Sequence, residues 1–567
     1  MSAILQSARR RSSALWLPLA RAWDGFRPEM SQEMLAVLVG LFLTTSANVA
    51  LFRSVYATGA LHGLAGLGTG ACLFVLVWAL NMLLALLLFN NWSVRAVLAL
   101  LLPASAAAAY FMDHYGVYFD TDMVRNVLQT DARESSELVS MGLLGRVLLA
   151  GILPAALAWR VRLVRRKPGR AMLLRAGAIV LALVAVLGSA LVSFQSLSAL
   201  MRNHREIRHL ITPGNYLASL VRVAADDGAA RNRPRTTLGA GAHVAGKSPG
   251  QRPRLLVLVV GETVRAQNWG LNGYARQTTP QLARMDLVNF TDVSSCGTAT
   301  EVSLPCMFSR YTREAYSKDK VRNSESVLHV LGHAGIGVSW LDNQGGCKGV
   351  CTGLDVQSFE HADDPEFCNA EGCLDGILLK ALSAKVDQLG EGDAVIVLHQ
   401  LGNHGPAYYR RHPPEFARFL PECRSSELGQ CSREQVVNAY DNATLYTDDL
   451  LARAIRLLAA QVQRDTALVY LSDHGESLGE GGLYLHGMPY AIAPEEQKKV
   501  PMVMWLSPGF SGSGGINLAC LKDKAGRQAV SQDSLFHTLL GLMQVTAPEY
   551  DTSLDLLDGC LSGHGSS

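Results

Sequence analysis

The sequence predicts a membrane-anchored α/β protein: a five-helix transmembrane domain, then a soluble domain whose mostly parallel sheet is sandwiched by helices. Three observations carry this. Long apolar stretches crowd the first two hundred residues, short apolar runs alternate with helical patterns beyond them, and ten of the eleven cysteines fall after residue 290.

The apolar stretches are Met34 to Phe52, Ala71 to Phe89, Val94 to Met112, Leu143 to Trp159 and Ala176 to Phe194. Each approaches the roughly 20 residues that carry a helix across a hydrocarbon core of about 30 Å. The first is long, follows more than thirty residues, and has no small-residue cleavage site after it, which argues against a signal peptide. Arg9, Arg10, Arg11, Arg21 and Arg27 precede the first span, and Arg160, Arg162, Arg165, Arg166, Lys167, Arg170 and Arg175 crowd the connection between the fourth and fifth. The loops after the first and third spans are poor in positive charge, so the positive-inside rule makes the amino terminus cytoplasmic. An odd number of spans then puts everything after about residue 196 on the other side. The net charge of +2 sums two compartments and excludes nothing by itself.

Cysteine usage agrees with an exported domain. Close pairs are Cys296 with Cys306, Cys347 with Cys351, Cys368 with Cys373 and Cys423 with Cys431; Cys520 and Cys560 are left as a further pair. An even number of clustered cysteines outside the cytoplasm reads as disulfides. The spacings are not those of a zinc ribbon.

Residues 1–196 are therefore read as the amino-terminal segment and spans. Residues 197–253 are read as an interfacial helical segment, broken at Thr212-Pro213-Gly214, and a polar linker from Ala224 to Pro253. Residues 254–567 remain for one α/β domain. Its expected strands include Leu255–Val260, Gly337–Leu341, Ala394–His399, Ala467–Leu471 and Val500–Leu506, with helical patterns such as Gln435 to Ala460 between them. There is no internal repeat, Walker loop or dinucleotide fingerprint.

The chemistry gathers where strands end. Leu255–Val260 runs into Gly261-Glu262-Thr263, and Ala467–Leu471 into Ser472-Asp473-His474-Gly475-Glu476. Sites of open α/β sheets collect at the carboxyl ends of their strands. Glu262, Asp473 and His474 would give zinc three ligands, leaving a place for a hydroxyl whose pKa the metal lowers. Thr300 is the best-placed hydroxyl, between Cys296 and Cys306 and ahead of Pro305; Ser294, Ser295, Thr298 and Ser303 compete with it. His404 and His486, in glycine-rich surroundings, are candidates for protonating a leaving oxygen or for completing a second metal site or phosphate pocket. His399 reads as structural.

These residues lie in motifs that resemble those of the lipid A phosphoethanolamine transferases, which include the mobile colistin-resistance enzymes and belong to the alkaline phosphatase and sulfatase superfamily. The motifs are Gly261-Glu262-Thr263, Asn272 to Thr278, Ser295 to Thr300, Gly402 to Pro406 and Ser472 to Ser477, and the resemblance runs from the first span to about residue 545. It implies an alkaline phosphatase/sulfatase-like fold and one tightly bound Zn2+ held by Glu262, Thr300, Asp473 and His474. Thr300 is then the nucleophile, with His404 and His486 near substrate or a second zinc. It further implies a phosphatidylethanolamine donor, a lipid A phosphate acceptor, a covalent phosphoethanolamine-threonine intermediate and polymyxin resistance. The expected setting is a multi-pass protein of the bacterial inner membrane, its catalytic domain in the periplasm, monomeric and without a nucleic-acid partner.

Lys348 matches a substrate-contacting position of the family. Asn126, Thr130 and Glu134 match positions proposed to bind the ethanolamine lipid, and their spacing would put them on one helical face. Transfer to core heptose or another periplasmic glycan is the alternative acceptor chemistry, and a related metal-dependent phosphodiesterase the alternative reaction. A sulfatase is disfavoured because Thr300 lacks the Cys/Ser-x-Pro-x-Arg context, a lipoteichoic acid synthase because of the dense cysteines. A transporter is disfavoured because the spans hold few ionisable residues.

Overall fold

The computed structural model describes residues 27–130, 132–230, 235–246 and 250–562. Arg9, Arg10, Arg11 and Arg21 lie outside the described residues, as does the side chain of Glu134. The chain forms two compact units, Met1–His114 with Met141–Ala218, and Tyr115–Ser140 with Ser219–Ser567.

The first apolar stretch is not one straight helix. It forms α1 (Gln32–Ser46) and α2 (Val49–Ala57), which meet at 50°. The cause is Asn48, whose buried amide donates to the carbonyls of Leu43 and Thr212 at 2.9 Å each and accepts the Thr212 N–H at 2.9 Å. A polar side chain inserted at the ladder in this way bends a helix. The helices α3 (Gly63–Leu88), α4 (Val94–Tyr115), α7 (Met141–Arg160) and α8 (Pro168–Val192) each contain a stretch long and apolar enough to cross a membrane. Among the described residues that makes four candidate spans, or five if the bent pair counts as one. Leu148, Leu149, Ile152, Leu181, Val184 and Leu187 all point outward, an apolar exterior that suits lipid rather than water.

Between α4 and α7 lie α5 (Thr121–Gln129) and α6 (Ala132–Leu138), so Asn126 and Thr130 do not share one continuous helical face with position 134. Thr130 caps α5 in extended conformation, its N–H and its hydroxyl each 2.8 Å from the Asn126 carbonyl. The helix ends there because Thr130 leaves the helical conformation, at φ −62 and ψ 126. The expected linker also differs: α9 (Gly214–Ala230) continues into it, and His243–Val244 pairs with Val545–Thr546.

The second unit is built on an eight-stranded sheet of β1 (Arg254–Gly261), β2 (Val288–Ser294), β3 (Gly337–Asp342), β4 (Asp355–Ser358), β5 (Ala394–His399), β6 (Asp465–Ser472), β7 (Lys499–Leu506) and β8 (Val530–Ser531). Their spatial order is β8-β2-β7-β6-β1-β5-β3-β4. The sheet is mixed: β7, expected among parallel strands, runs antiparallel to both β6 and β2. The connection after β6, residues 475–498, holds only short strands, turns and the four-residue helix Glu495–Lys498, not the crossover helix that usually joins parallel strands.

The central strands β1, β5 and β6 are buried along their whole length, which explains their unbroken apolar composition. Leu256, Leu258 and Val260 face one core with the helices at 300–307, 327–333 and 535–542; Leu255, Val257 and Val259 face another with α11 (Gly376–Asp387) and α12 (Arg433–Ala459). The helix α12 starts at a capping box, Ser432 accepting from the Gln435 N–H and Gln435 from the Ser432 N–H. All five cysteine pairs close as neighbours, including Cys520 with Cys560.

Candidate active site and metal centre

Register brings the motif residues together. In the parallel pair β1 and β6, Ser472 stands opposite Gly261, so Glu262 and Asp473 emerge side by side. The neighbouring β5 ends opposite Val260, and the chain beyond it returns to bond the Glu262 carbonyl through the Asn403 N–H at 3.0 Å. Gly402 makes this approach at φ +54, where an added Cβ would lie 2.6 Å from the Glu262 carbonyl oxygen. Thr263 also sits in the left-handed region, at φ 56, which is costly for a β-branched residue. Two bonds hold it there: its N–H donates to Asp473 Oδ1 at 3.2 Å, and its carbonyl accepts the Tyr440 hydroxyl at 2.6 Å.

Thr300 is the first residue of α10 (Thr300–Met307), whose N-terminus favours negative charge on its oxygen. Its Oγ1 lies 3.1 Å from both carboxylate oxygens of Glu262 and 3.3 Å from His474 Nε2. The competing hydroxyls are engaged elsewhere. Ser295 bonds the Gly297 carbonyl, Thr298 the Met488 carbonyl and Ser303 the Asp473 carbonyl, while Ser294 accepts from Lys499.

One ligand atom from each of Glu262, Asp473 and His474 lies within 4.8 Å of the others, and all three residues are fully buried. The His474 Nδ1–H donates to the Gly475 carbonyl at 2.9 Å, which turns Nε2 toward Glu262 and Asp473, 3.4 Å from an oxygen of each. Asp473 Oδ2 makes no hydrogen bond despite its burial. Two carboxylates and an imidazole converging out of water, with one oxygen orphaned, suit a divalent cation. The electrostatics say the same. Burial and the Glu262 charge push the Asp473 carboxyl up; burial also opposes charge on Glu262, but its bond to His474 and the neighbouring imidazoles hold it ionised. Burial would lower the His474 imidazole, yet Asp473 and Glu262 raise it to about 10.

Residues 254–545 match the family profile described as Sulfatase, and residues 76–227 the one described as Phosphoethanolamine transferase EptA/EptB. The phosphoethanolamine transferase EptA of Escherichia coli K12 is 38% identical over 544 residues, covering 94% of this chain and 98% of its own. The chain belongs to the phosphoethanolamine transferase family. The phosphatidylethanolamine transferase Mcr-1 of Escherichia coli is 36% identical over 92% of this chain and 96% of its own. Among solved structures, the integral membrane lipooligosaccharide phosphoethanolamine transferase A of Neisseria meningitidis superposes with a TM-score of 0.91, at 37% identity, over 94% of this chain and 100% of that one.

In this member of the phosphoethanolamine transferase family, His486 and His404 flank the cluster. The His486 ring centre is 4.5 Å from that of His474 and 5.6 Å from that of His404, and Glu476 Oε2 anchors its Nδ1 at 3.1 Å. Lys348 is not part of the metal cluster. It lines a separate cavity of about 690 Å³ with Gln129, Arg235, Phe308 and Arg322, and its Nζ donates to the Gly345 carbonyl at 3.0 Å. His399 is buried against Asp342 at 2.7 Å, the structural role expected for it.

One residue of this phosphoethanolamine transferase escapes any motif. Gln532 is fully buried and donates to the carbonyls of Ser472 and Asp473 at 2.7 and 2.6 Å. Its Oε1 accepts the Cys296 N–H at 2.7 Å and the Ser303 hydroxyl at 2.8 Å. It thus ties the loop before Thr300 to the backbone of the Asp-His pair from more than fifty residues away. Its neighbours Ser531, Asp533 and Ser534 are polar too, so nothing in the local sequence marks it. Gln532→Leu should orphan these partners and cost about 3 kcal/mol or more. Thermal unfolding of the variant checks this, and an unchanged midpoint would refute the hub.

Proposed function

We propose that the protein transfers phosphoethanolamine from phosphatidylethanolamine to a phosphate of lipid A through a covalent intermediate on Thr300. The observation that carries this reading is the placement of Thr300 Oγ1 between Glu262 and His474. The similarity to Mcr-1 of Escherichia coli, a phosphatidylethanolamine transferase, supports the class of donor.

Zinc bound by Glu262, Asp473, His474 and Thr300 would supply Lewis acidity, lowering the hydroxyl pKa and neutralising charge on the phosphoryl group. Thr300 Oγ1 attacks the donor phosphorus, and the bond from phosphorus to the diacylglycerol oxygen breaks. The proton shed by Thr300 ends on that oxygen, with His404 and His486 placed to relay it. A phosphate oxygen of lipid A then attacks the same phosphorus, the bond to Thr300 breaks, and the threonine hydroxyl is restored. Each cycle adds an ammonium to the acceptor and masks a phosphate charge, which weakens attraction of cationic peptides such as polymyxins.

Both substrates are amphiphiles, which accounts for a hydrophilic catalytic unit on apolar spans. Basic residues from Arg160 to Arg175 support a cytoplasmic connection there and, with an odd number of spans, a catalytic unit in the periplasm of a bacterial inner membrane. Purified full-length protein incubated with phosphatidylethanolamine should gain the mass of one phosphoethanolamine. Lipid A from cells expressing it should gain the same mass. An adduct-free protein overturns the mechanism; an adduct with unmodified lipid A and a modified core overturns the acceptor.

A further inference from the structure

The segment between α4 and α7 belongs to the catalytic unit, and it enters that unit through two buried ion pairs. Glu137, at the end of α6, contacts the Arg411 guanidinium, both side chains 2% exposed. Arg411 Nε donates in turn to the backbone carbonyl of His404 at 2.7 Å. Twelve residues before Glu137 the same segment presents Arg125, also buried, 3.9 Å from the carboxylate of Glu301, which Arg322 contacts as well. Glu301 directly follows Thr300, in the first turn of α10. One short segment therefore touches the neighbour of the nucleophile directly and reaches the backbone of His404 through Arg411.

Charges of this kind are a poor way to gain stability, since burying an ion pair costs as much as its attraction returns. What they fix is register. An apolar seam tolerates sliding, whereas an arginine fork accepts one geometry for a carboxylate and a carbonyl together. The segment carries Asn126 and Thr130, at positions where the family resemblance puts the ethanolamine lipid, the donor in the function proposed above.

Resting on that reading, we propose that Glu137 and Arg411 are positioning residues for phosphoryl transfer. They lock the donor-binding segment to the loop carrying His404, while Arg125 and Glu301 lock it to the nucleophile helix. Donor phosphorus, nucleophile and proton relay then share one rigid frame, and a misplacement of about 1 Å in such a frame can cost about 100-fold in rate.

The test uses the full chain in nanodiscs of phosphatidylethanolamine and phosphatidylcholine. Glu137→Gln keeps the shape of the side chain but leaves the Arg411 charge unpaired. Hydrogen exchange should quicken around residues 132–138 and 402–411, and the single-turnover rate of adduct formation at saturating donor should fall about 100-fold. Zinc content per chain should stay at the wild-type level, and Glu137→Asp should recover part of the rate. Unchanged exchange around His404, a rate within about threefold of wild type, or zinc loss parallel to the rate loss would each overturn the proposal. A wild-type protein that forms no adduct instead defeats the proposed reaction, and the exchange arm then decides the coupling alone.

Discussion

Thr300→Ala should abolish adduct formation and lower transfer by at least about 10⁴-fold, the loss expected when a covalent nucleophile is removed from an otherwise intact site. Glu262, Asp473 and His474, the residues proposed to hold zinc, remain, so the variant should still bind the metal. That separation makes the experiment decisive, because a general loss of structure would remove both. Thr300→Ser keeps a hydroxyl at the start of α10 but loses the methyl that restricts its rotamer. It should form the adduct more slowly, and intact-mass analysis over time would read both variants. A phosphoethanolamine adduct that persists in Thr300→Ala would move the nucleophile elsewhere.

His474→Ala should remove zinc binding and, with it, the stability the metal adds. At free zinc about 100 times its dissociation constant that contribution is about 2.7 kcal/mol, so the midpoint of thermal unfolding should drop by several degrees. Chelation of the wild type should reproduce the drop, and chelation of His474→Ala should add nothing. The pH dependence has a definite sign. In the metal-free protein His474 stands near 10 against an ordinary value of 6.5, since Asp473 and Glu262 outweigh its burial. A histidine raised by folding contributes stability below pH 6.5 that is lost as pH climbs toward 10. Asp473, also raised, acts in the same direction at lower pH. Zinc needs the neutral imidazole, so its binding releases a proton and tightens over the same range. The zinc-induced shift in midpoint should therefore grow from pH 6.5 toward 10; a shift that shrinks would exclude His474 as a ligand.

The candidate ligand triad was legible from residues alone because it lies immediately after strands β1 and β6, where an unbroken apolar run ends in polar residues. The cysteine pairs were legible for a similar reason, each partner except Cys560 being within ten residues of the other. Composition alone left Thr300 among several hydroxyls. Only the folded loop shows that Ser295, Thr298 and Ser303 bond nearby carbonyls while Thr300 faces the ligands. Spacing also misled at Asn126, Thr130 and Glu134, because Thr130 turns to extended backbone and α5 stops before the third position is reached.

By itself the sequence determined the apolar spans, the buried strands and the metal-binding chemistry at their ends, all of which depend on near neighbours and on local hydrophobic pattern. Tertiary structure decided the antiparallel course of β7, the bend at Asn48, the hub at Gln532 and the junction of Glu137 with Arg411. Each of these joins groups far apart along the chain, or reflects the path by which strands return to a common sheet. Burial makes such groups seek partners, but a linear pattern carries no record of which distant partner folding will bring within reach.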